Sequence, residues 1–232
     1  MLIADRPSLN ILAFDTSTEY CSVALLHDGK LTFREVFAGQ KHSELILAMI
    51  DALLAASNLE LAHLDGVAFG AGPGSFTGLR IACGVAQGLA FGAGVPVVPV
   101  GTLLSMAEGA GAAKVVACLD ARMGEIYHAA YQRDGTGWSE TVAPNVCKAY
   151  AAPELEGGNW VGCGSGFEVY GNDLATRYRG QLASVETPAF PHARNVAKLA
   201  LPVFVAGRGV AAEQALPFYV RDNVARKMHE QP

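Results

Sequence analysis

The hydrophobic period of this sequence changes from two residues to about 3.6 near position 42, and that change restricts the available folds. Before it, residues 10–14, 21–27 and 30–37 are short apolar runs, and the last two meet at Asp28-Gly29, a pair typical of a hairpin turn. After it, residues 42–58 predict a helix with Ser43 as its N-cap. Further runs predict a strand at 65–72, a helix at 77–92 and a strand at 95–100. The order β-β-β-α-β-α-β indicates an α/β fold with a mixed sheet.

A second half begins near Lys114 with another hairpin signal. Residues 114–119 and 125–132 flank the turn DARMG, whereas 135–158 is rich in glycine and proline and is expected to be mostly loop. A short strand is predicted at 160–164. Two stretches with a helical pattern follow, at 167–178 and 193–207.

The stretch GAGPGSFTG, residues 70–78, is a glycine-rich turn that leads into a helix, an arrangement that often binds phosphate. Gly78 is followed by Leu79 where a P-loop requires lysine, and the glycine spacing of the dinucleotide-binding fingerprint is also absent. Two interpretations stay open. The backbone N–H groups of 75–78 bind an anion, or the glycines only shape a tight turn in which Ser75 or Thr77 caps the helix.

The predicted helices at 42–58 and 77–92 are apolar on nearly all sides. In the second helix Gly84, Gly88 and Gly92 form one ridge of small residues, and alanines at 82, 86 and 90 form another. Its only large polar residues are Arg80 and Gln87. The two helices are either buried entirely within the chain, or they pack one face on the sheet and the other on a partner protein.

Composition excludes several classes of function. No apolar window is long enough for a transmembrane helix, and MLIADRPSLN lacks the apolar core of a signal peptide, so we expect a cytoplasmic protein without membrane contact. The five cysteines include no CxxC pair and are expected to be reduced. A net charge of −5 argues against strong nucleic-acid binding by the chain alone, and the cations of the tail (Arg221, Arg226, Lys227) would add only weak affinity.

Five segments together resemble the bacterial TsaB (YeaZ) family, in order along nearly the whole chain. They are ILAFDTSTEYCSVAL, KHSELILAMIDALL, AFGAGPGSFTGLRIACGVAQGLAFG, ACLDARMGEIYHAAYQ and PFYVRDNVA. The resemblance implies an actin/Hsp70-like (ribonuclease H-like) fold with subdomains at 10–110 and 111–232, and a last helix, about 193–207, that packs back on the first subdomain. It also implies a noncatalytic scaffold without a cofactor, which activates TsaD for N6-threonylcarbamoyladenosine modification of tRNA at position 37.

The partners that the resemblance implies are proteins. TsaD forms a heterodimer with this family, TsaE joins that pair in a ternary complex, and tRNA is reached only through the complex. Alone, the chain is expected to form a homodimer through the same surface. Because the family builds this surface from the two apolar helices, the implied interface residues are Leu45, Met49, Leu53, Arg80, Gly84, Gln87, Gly88 and Phe91.

Residues for independent chemistry are incomplete. His42 has no second histidine three or four positions later, so a metal site is not expected, and His42 is predicted to cap or hydrogen-bond at the helix start. FDTST keeps the aspartate of actin-like kinases as Asp15, but Ser17 replaces their glycine. With Gly162 and Gly164, these residues form a candidate vestigial nucleotide cleft. A weak ATPase or a peptidase acting alone is the alternative function.

Asp120, Arg122 and Glu125 cluster at the second hairpin. They are interpreted either as a turn with an internal salt bridge or as a polar contact in a cleft or with a partner. The sequence alone leaves both interpretations open.

Overall fold

The computed structural model describes residues 8–135 and 137–220, which contain two five-stranded mixed sheets. In sheet 1, a three-stranded antiparallel meander continues through two parallel strands, in the order β3-β2-β1-β4-β5. Its strands are β1 (Ile11–Asp15), β2 (Tyr20–His27), β3 (Lys30–Phe37), β4 (Gly66–Gly72) and β5 (Val97–Gly101).

Sheet 2 repeats this topology. A second antiparallel meander is extended by two parallel strands, in the order β10-β9-β6-β7-β8. Its strands are β6 (Lys114–Arg122), β7 (Glu125–Asp134), β8 (Gly137–Cys147), β9 (Trp160–Cys163) and β10 (Leu182–Glu186). The two halves therefore share an architecture although their sequences show no visible similarity.

Helices cover both faces of each sheet. On the outer faces, α1 (His42–Ala56) and α2 (Phe76–Ala93) pack on sheet 1, and α4 (Ser165–Arg177) packs on sheet 2. The other two helices are exchanged: α3 (Thr102–Ala110) follows sheet 1 but packs on sheet 2, and α5 (Ala193–Val205) follows sheet 2 but packs on sheet 1. Because α3 and α5 also contact each other, they join the halves.

The central strand β1 shows why its sequence is continuously apolar. Leu12 and Phe14 lie in the core beneath α1 and α2, whereas Ala13 between them lies in the core beneath α5. Successive side chains of a strand point to opposite faces, and here both faces are covered, so no polar alternation is possible. The small Ala13 lies on the side where α5 approaches the sheet closely.

The predicted α/β fold of actin/Hsp70-like (ribonuclease H-like) type, with two mixed sheets plus helices, is confirmed. The order predicted for residues 10–100 is also confirmed. The predicted subdomain boundary after residue 110 lies at the C-terminal end of α3, whose last residue is Ala110. Ser75 caps α2 by accepting a hydrogen bond from the Gly78 backbone N–H at 3.3 Å.

Several local predictions are wrong. Helix α1 begins at His42 after Lys41, without any side-chain cap, so Ser43 does not cap it. His42 does not cap it either, but it hydrogen-bonds to the backbone of Thr18 and Gly39, which was the other predicted role. Most of 135–147, expected to be loop, is strand β8, and the sequence patterns missed α3 and β10. Strand β8 was missed because it is an exposed edge strand that contains Pro144, which an edge tolerates and an inner strand does not.

Candidate partner-binding face and interdomain cleft

The two small-residue ridges of α2 point in opposite directions. Ala82, Ala86 and Ala90 are buried against sheet 1, whereas the other ridge (Gly84, Gly88 and Gly92) is exposed to solvent. A Cβ added at any of these three glycines would meet no atom within 4 Å. We call the exposed surface of α1 and α2, including this glycine ridge, the helix face.

Large apolar side chains are exposed on the helix face. Phe91, one turn beyond Gly88, is 82% exposed, and Leu47 on α1 is 50% exposed. Phe76 is exposed at the other end of α2, about 22 Å from Phe91 along the helix axis at 1.5 Å per residue. An apolar surface with a trough of glycines between two aromatic side chains is typical of a face that another protein covers.

Not all residues predicted for the interface lie on this face. Met49 and Leu53 are only 9% and 4% exposed, because they point into the core between α1 and sheet 1, and Leu45 is partly buried against the same core. Leu47 is the exposed leucine that the sequence analysis missed. With apolar residues all around α1, the pattern could not show which ones face the sheet.

Arg80 and Gln87 contact a C-terminal segment, residues 210–220, that we call the strap. The Nε2 of Gln87 donates to the Ala215 carbonyl at 2.9 Å, and the Nε of Arg80 donates to the Tyr219 hydroxyl at 3.3 Å. The polar positions of α2 therefore serve the chain's own packing, which the sequence pattern did not reveal.

The strap runs from the edge of sheet 1 towards the N-terminal end of α2. Val210 exchanges two backbone hydrogen bonds of 2.8 Å with Val97, and the backbone N–H of Phe218 donates to Ala71 at 2.7 Å. Ala212 and Ala215 are buried in the core beneath α2. These contacts fix Phe218 and Tyr219 beside Phe76.

A cavity of about 540 Å³ lies between the two halves, at the end of the strap. Ser17, Glu19 and Ser75 line it from the first half, and Asp120, Arg122, Ser165 and Glu168 line it from the second. The Asp120 carboxylate lies 3.4 Å from the Arg122 guanidinium, so the hairpin has an internal salt bridge and also faces the cleft.

Asp15, the predicted kinase-like aspartate, is held away from this cavity. Its Oδ1 accepts hydrogen bonds from the Ser17 backbone N–H at 2.8 Å and the Ser17 hydroxyl at 2.7 Å. Its Oδ2 has no hydrogen-bond partner among the residues that the structure describes, and it lies where any side chain larger than that of Gly70 would overlap it. Burial raises the pKa of this carboxyl group.

The other residues of the predicted nucleotide cleft do not come together. Gly162 makes room for the Phe167 ring, and Gly164 makes room for Cys118 and Met106, so both are packing glycines, and neither lines the cavity. Among the described lining residues, Glu19, Asp120 and Glu168 outnumber the single cation Arg122. Because Asp15 is buried outside the cavity, it cannot hold a magnesium-bound phosphate there as the kinase-like motif would require.

His128 forms a buried polar network that the sequence analysis did not find. Its Nε2 lies 2.7 Å from the Tyr178 hydroxyl, which donates to the Pro153 carbonyl at 3.0 Å, and the Asn145 amide lies 3.3 Å from Nδ1. These contacts suit neutral imidazole with its proton on Nε2. Burial, with a smaller effect of Arg177, lowers the pKa of His128 to about 4.

The described residues provide neither a cluster of metal ligands nor a membrane-spanning helix. Within 8–135 and 137–220, no group of three or more His, Cys, Asp or Glu side chains is placed to hold a metal ion. No helix in the same ranges has both the length and the apolar character needed to cross a membrane. His42 is buried near Glu19, and burial lowers its pKa.

Comparisons with known proteins give a family model described as TsaD and relatives named TsaB. A family model described as TsaD, tRNA N6-adenosine threonylcarbamoyltransferase, matches residues 36–228. The tRNA threonylcarbamoyladenosine biosynthesis protein TsaB of Escherichia coli (strain K12) is 41% identical, with 94% of this chain and 97% of the relative covered. That of Haemophilus influenzae is 38% identical, with 95% and 97% covered. YeaZ from Pseudomonas aeruginosa superposes with a TM-score of 0.84 at 38% identity, covering 91% of this chain and 99% of that structure.

Proposed function

The chain belongs to the TsaB (YeaZ) family of tRNA threonylcarbamoyladenosine biosynthesis proteins, and from this premise we propose that it is a noncatalytic scaffold that binds and activates TsaD. Participation in threonylcarbamoyladenosine biosynthesis follows from the family. The scaffold role and the docking surface are the proposal. In it, TsaD covers the helix face of α1 and α2.

The observation that carries the proposal is the glycine ridge of α2. Gly84, Gly88 and Gly92 face open space although glycine costs a helix about 1 kcal/mol per residue relative to alanine. Among residues 8–135 and 137–220, no atom occupies the space that they leave. A partner helix could approach the α2 backbone there and bury Phe91 and Leu47 at the same time.

The cleft supports the noncatalytic half of the proposal. Asp15 is buried and bonded to Ser17, and the cavity has acidic walls whose cation Arg122 is already paired with Asp120. An ATPase would need a carboxylate that reaches a metal-bound phosphate, and a peptidase would need an activated nucleophile or metal-bound water. The Ser17 hydroxyl donates to Asp15 instead.

The remaining partners are part of the same proposal. TsaE joins the pair, and the isolated chain forms a homodimer through the helix face, so homodimer and heterodimer exclude each other. With a net charge of −5, tRNA is expected to bind only through the complex, in the cytoplasm. The basic positions Arg221, Arg226 and Lys227 lie outside the described residues.

The test is light scattering on a sizing column, with the chain alone and after mixing with purified TsaD of the same organism. Wild type is expected to elute as a one-to-one heterodimer at micromolar concentration. Leu47→Glu should abolish that peak, because a carboxylate would be desolvated at the contact. Val185→Glu is the matched control, since Val185 is 47% exposed on β10 of the other half and does not line the cavity.

Two outcomes would contradict the proposal. If wild type and TsaD elute separately, the scaffold role is wrong. If Leu47→Glu and Val185→Glu both form the heterodimer, the contact lies elsewhere. Hydrolysis of magnesium-ATP by the chain alone would contradict the noncatalytic assignment.

A further inference from the structure

Arg80 is held in a fixed orientation at the end of the helix face nearest the cleft. Its guanidinium carbon lies 3.8 Å from the centre of the Phe76 ring, and its Nε donates to the Tyr219 hydroxyl. Tyr219 also stacks obliquely on Phe76, with ring centroids 5.6 Å apart. Stacking and the Nε bond together restrict a side chain that is otherwise among the most mobile on a protein surface.

Within the part of the chain that the structure describes, the terminal nitrogens of Arg80 have no hydrogen-bond partner. Among residues 8–135 and 137–220, no carboxylate lies within 4.0 Å of this guanidinium. By contrast, two arginines of the second half are paired with carboxylates of the same chain. Arg122 is paired with Asp120, and Arg133 with Glu108. An oriented guanidinium with free terminal nitrogens is suited to a carboxylate that binds both of them.

We propose that Arg80 receives a carboxylate side chain of TsaD and anchors the cleft end of the heterodimer. The inference rests on the proposed function, because it names the chemistry of the group that meets this end of the helix face. Arginine and tyrosine in an apolar surround are the residue types that dominate protein interfaces. The strap therefore belongs to the docking surface, because its Tyr219 orients Arg80.

A protein carboxylate fits this position better than the phosphate of a nucleic acid. Arg80 contacts the Phe76 ring and the Tyr219 hydroxyl, so its described neighbours are aromatic. A phosphate backbone is usually bound by several cations spread along its length. One guanidinium in an aromatic surround instead matches a single acidic side chain.

The experiment measures the dissociation constant of the TsaD heterodimer by calorimetry for wild type and three variants. Arg80→Gln is expected to weaken binding at least about 10-fold, in the range of interface arginines. Arg80→Lys should weaken it nearly as much, because lysine keeps the charge but not the planar pair of donors. Tyr219→Phe should weaken it about 2- to 5-fold, the effect of losing one orienting hydrogen bond.

Arg179→Gln serves as the matched control, since Arg179 is an exposed arginine just after α4 in the other half. It should leave the dissociation constant unchanged, and thermal unfolding should be equal in all variants. If wild type binds TsaD and Arg80→Gln binds within 2-fold of it, this inference is overturned while the scaffold role stands. If wild type does not bind, the proposed function itself fails.

A third outcome separates the two ligand classes. Retained TsaD affinity combined with loss of tRNA binding by the Arg80→Gln complex would assign Arg80 to nucleic acid and overturn the carboxylate. If Arg80→Gln loses TsaD affinity and the affinity that remains also loses its dependence on salt concentration, the carboxylate contact is supported.

Discussion

The two halves of this chain have the same strand order and differ in what covers their outer faces. Sheet 1 is covered by α1 and α2, whose exposed positions include Leu47, Phe91 and the glycine ridge. On the outer face of sheet 2, the described residues place one helix, α4. A short 3-10 turn at Ala149–Ala151 follows β8 at the point in the chain where α1 follows β3 in the first half. The exposed positions of α4 include Glu168, Asn172 and Asp173.

This difference separates what the fold requires from what a partner requires. Both outer layers bury an apolar stripe against their sheet, through Ala82 and Ala86 in α2 and through Phe167 and Leu174 in α4. Both halves also expose apolar side chains on the side turned away from the sheet, Leu47 and Phe91 in the first and Tyr150 and Val169 in the second. The row of three exposed glycines belongs to α2 and has no counterpart among the described residues of α4. Since the topology is common to both halves, the glycine ridge is a property of α2 and not of the fold.

The largest effect is expected from Gly84→Arg. The site faces open space, so the variant should fold as wild type does, while an arginine in the glycine trough should weaken TsaD binding at least about 100-fold, close to 2.7 kcal/mol. The measurement is the dissociation constant of the heterodimer, with circular dichroism to check folding.

Gly171→Arg is the control that sharpens the comparison. Gly171 lies on α4, and a Cβ there also meets nothing within 4 Å. This variant should bind TsaD as wild type does. Equal loss of binding in both variants would mean that TsaD binding does not distinguish the glycine ridge of α2 from the surface of α4.

The sequence could predict the strand order but not the direction of the α2 ridges. Gly84 lies two residues after Ala82, about 200° around the helix, so the two ridges were certain to face opposite sides. Which ridge meets the sheet depends on packing against β1 and β4, and this is not encoded in the repeat. For the same reason Met49 and Leu53 were assigned to the partner when they belong to the core.

Contacts distant in sequence account for the rest. Arg80 and Gln87 were recognised as the polar side of α2, but their partners Tyr219 and Ala215 lie more than 120 residues away. The nucleotide cleft was predicted from Asp15, Ser17, Gly162 and Gly164 as local motifs. Of these four residues only Ser17 lines the cavity, because Asp15 is buried and bonded to Ser17 and the two glycines pack against neighbouring side chains.

The second half should show an acid-dependent contribution to stability from His128, which lies beneath α4. Its pKa is about 4 in the folded chain against 6.5 for an ordinary histidine, so the unfolded chain binds a proton that the folded chain rejects between these values. The contribution is complete above pH 6.5 and is lost as the pH falls towards 4. In chemical denaturation, His128→Gln should reduce the slope of unfolding free energy against pH by up to about 1.4 kcal/mol per pH unit.

The test uses the slope, because the substitution can also change the free energy at neutral pH. Glutamine can still bond the Tyr178 hydroxyl but does not titrate in this range. An unchanged slope between pH 4 and 6.5 would show that His128 is protonated in the folded chain, contrary to its buried network with Tyr178 and Asn145.

The smallest expected effect is the most informative about why the glycines are there. Gly84→Ala should raise the free energy of unfolding by about 0.5–1 kcal/mol, because the added Cβ meets nothing and alanine favours the helix. The same methyl group should weaken TsaD binding several-fold, because it occupies the space into which the partner backbone packs. Thermal unfolding and calorimetry measure the two effects on one variant.

A chain shaped only for its own stability would gain from alanine without any loss, so a more stable variant that binds TsaD as well as wild type would remove the glycine ridge from the interface. Opposite signs would show that α2 gives up monomer stability for contact with its partner.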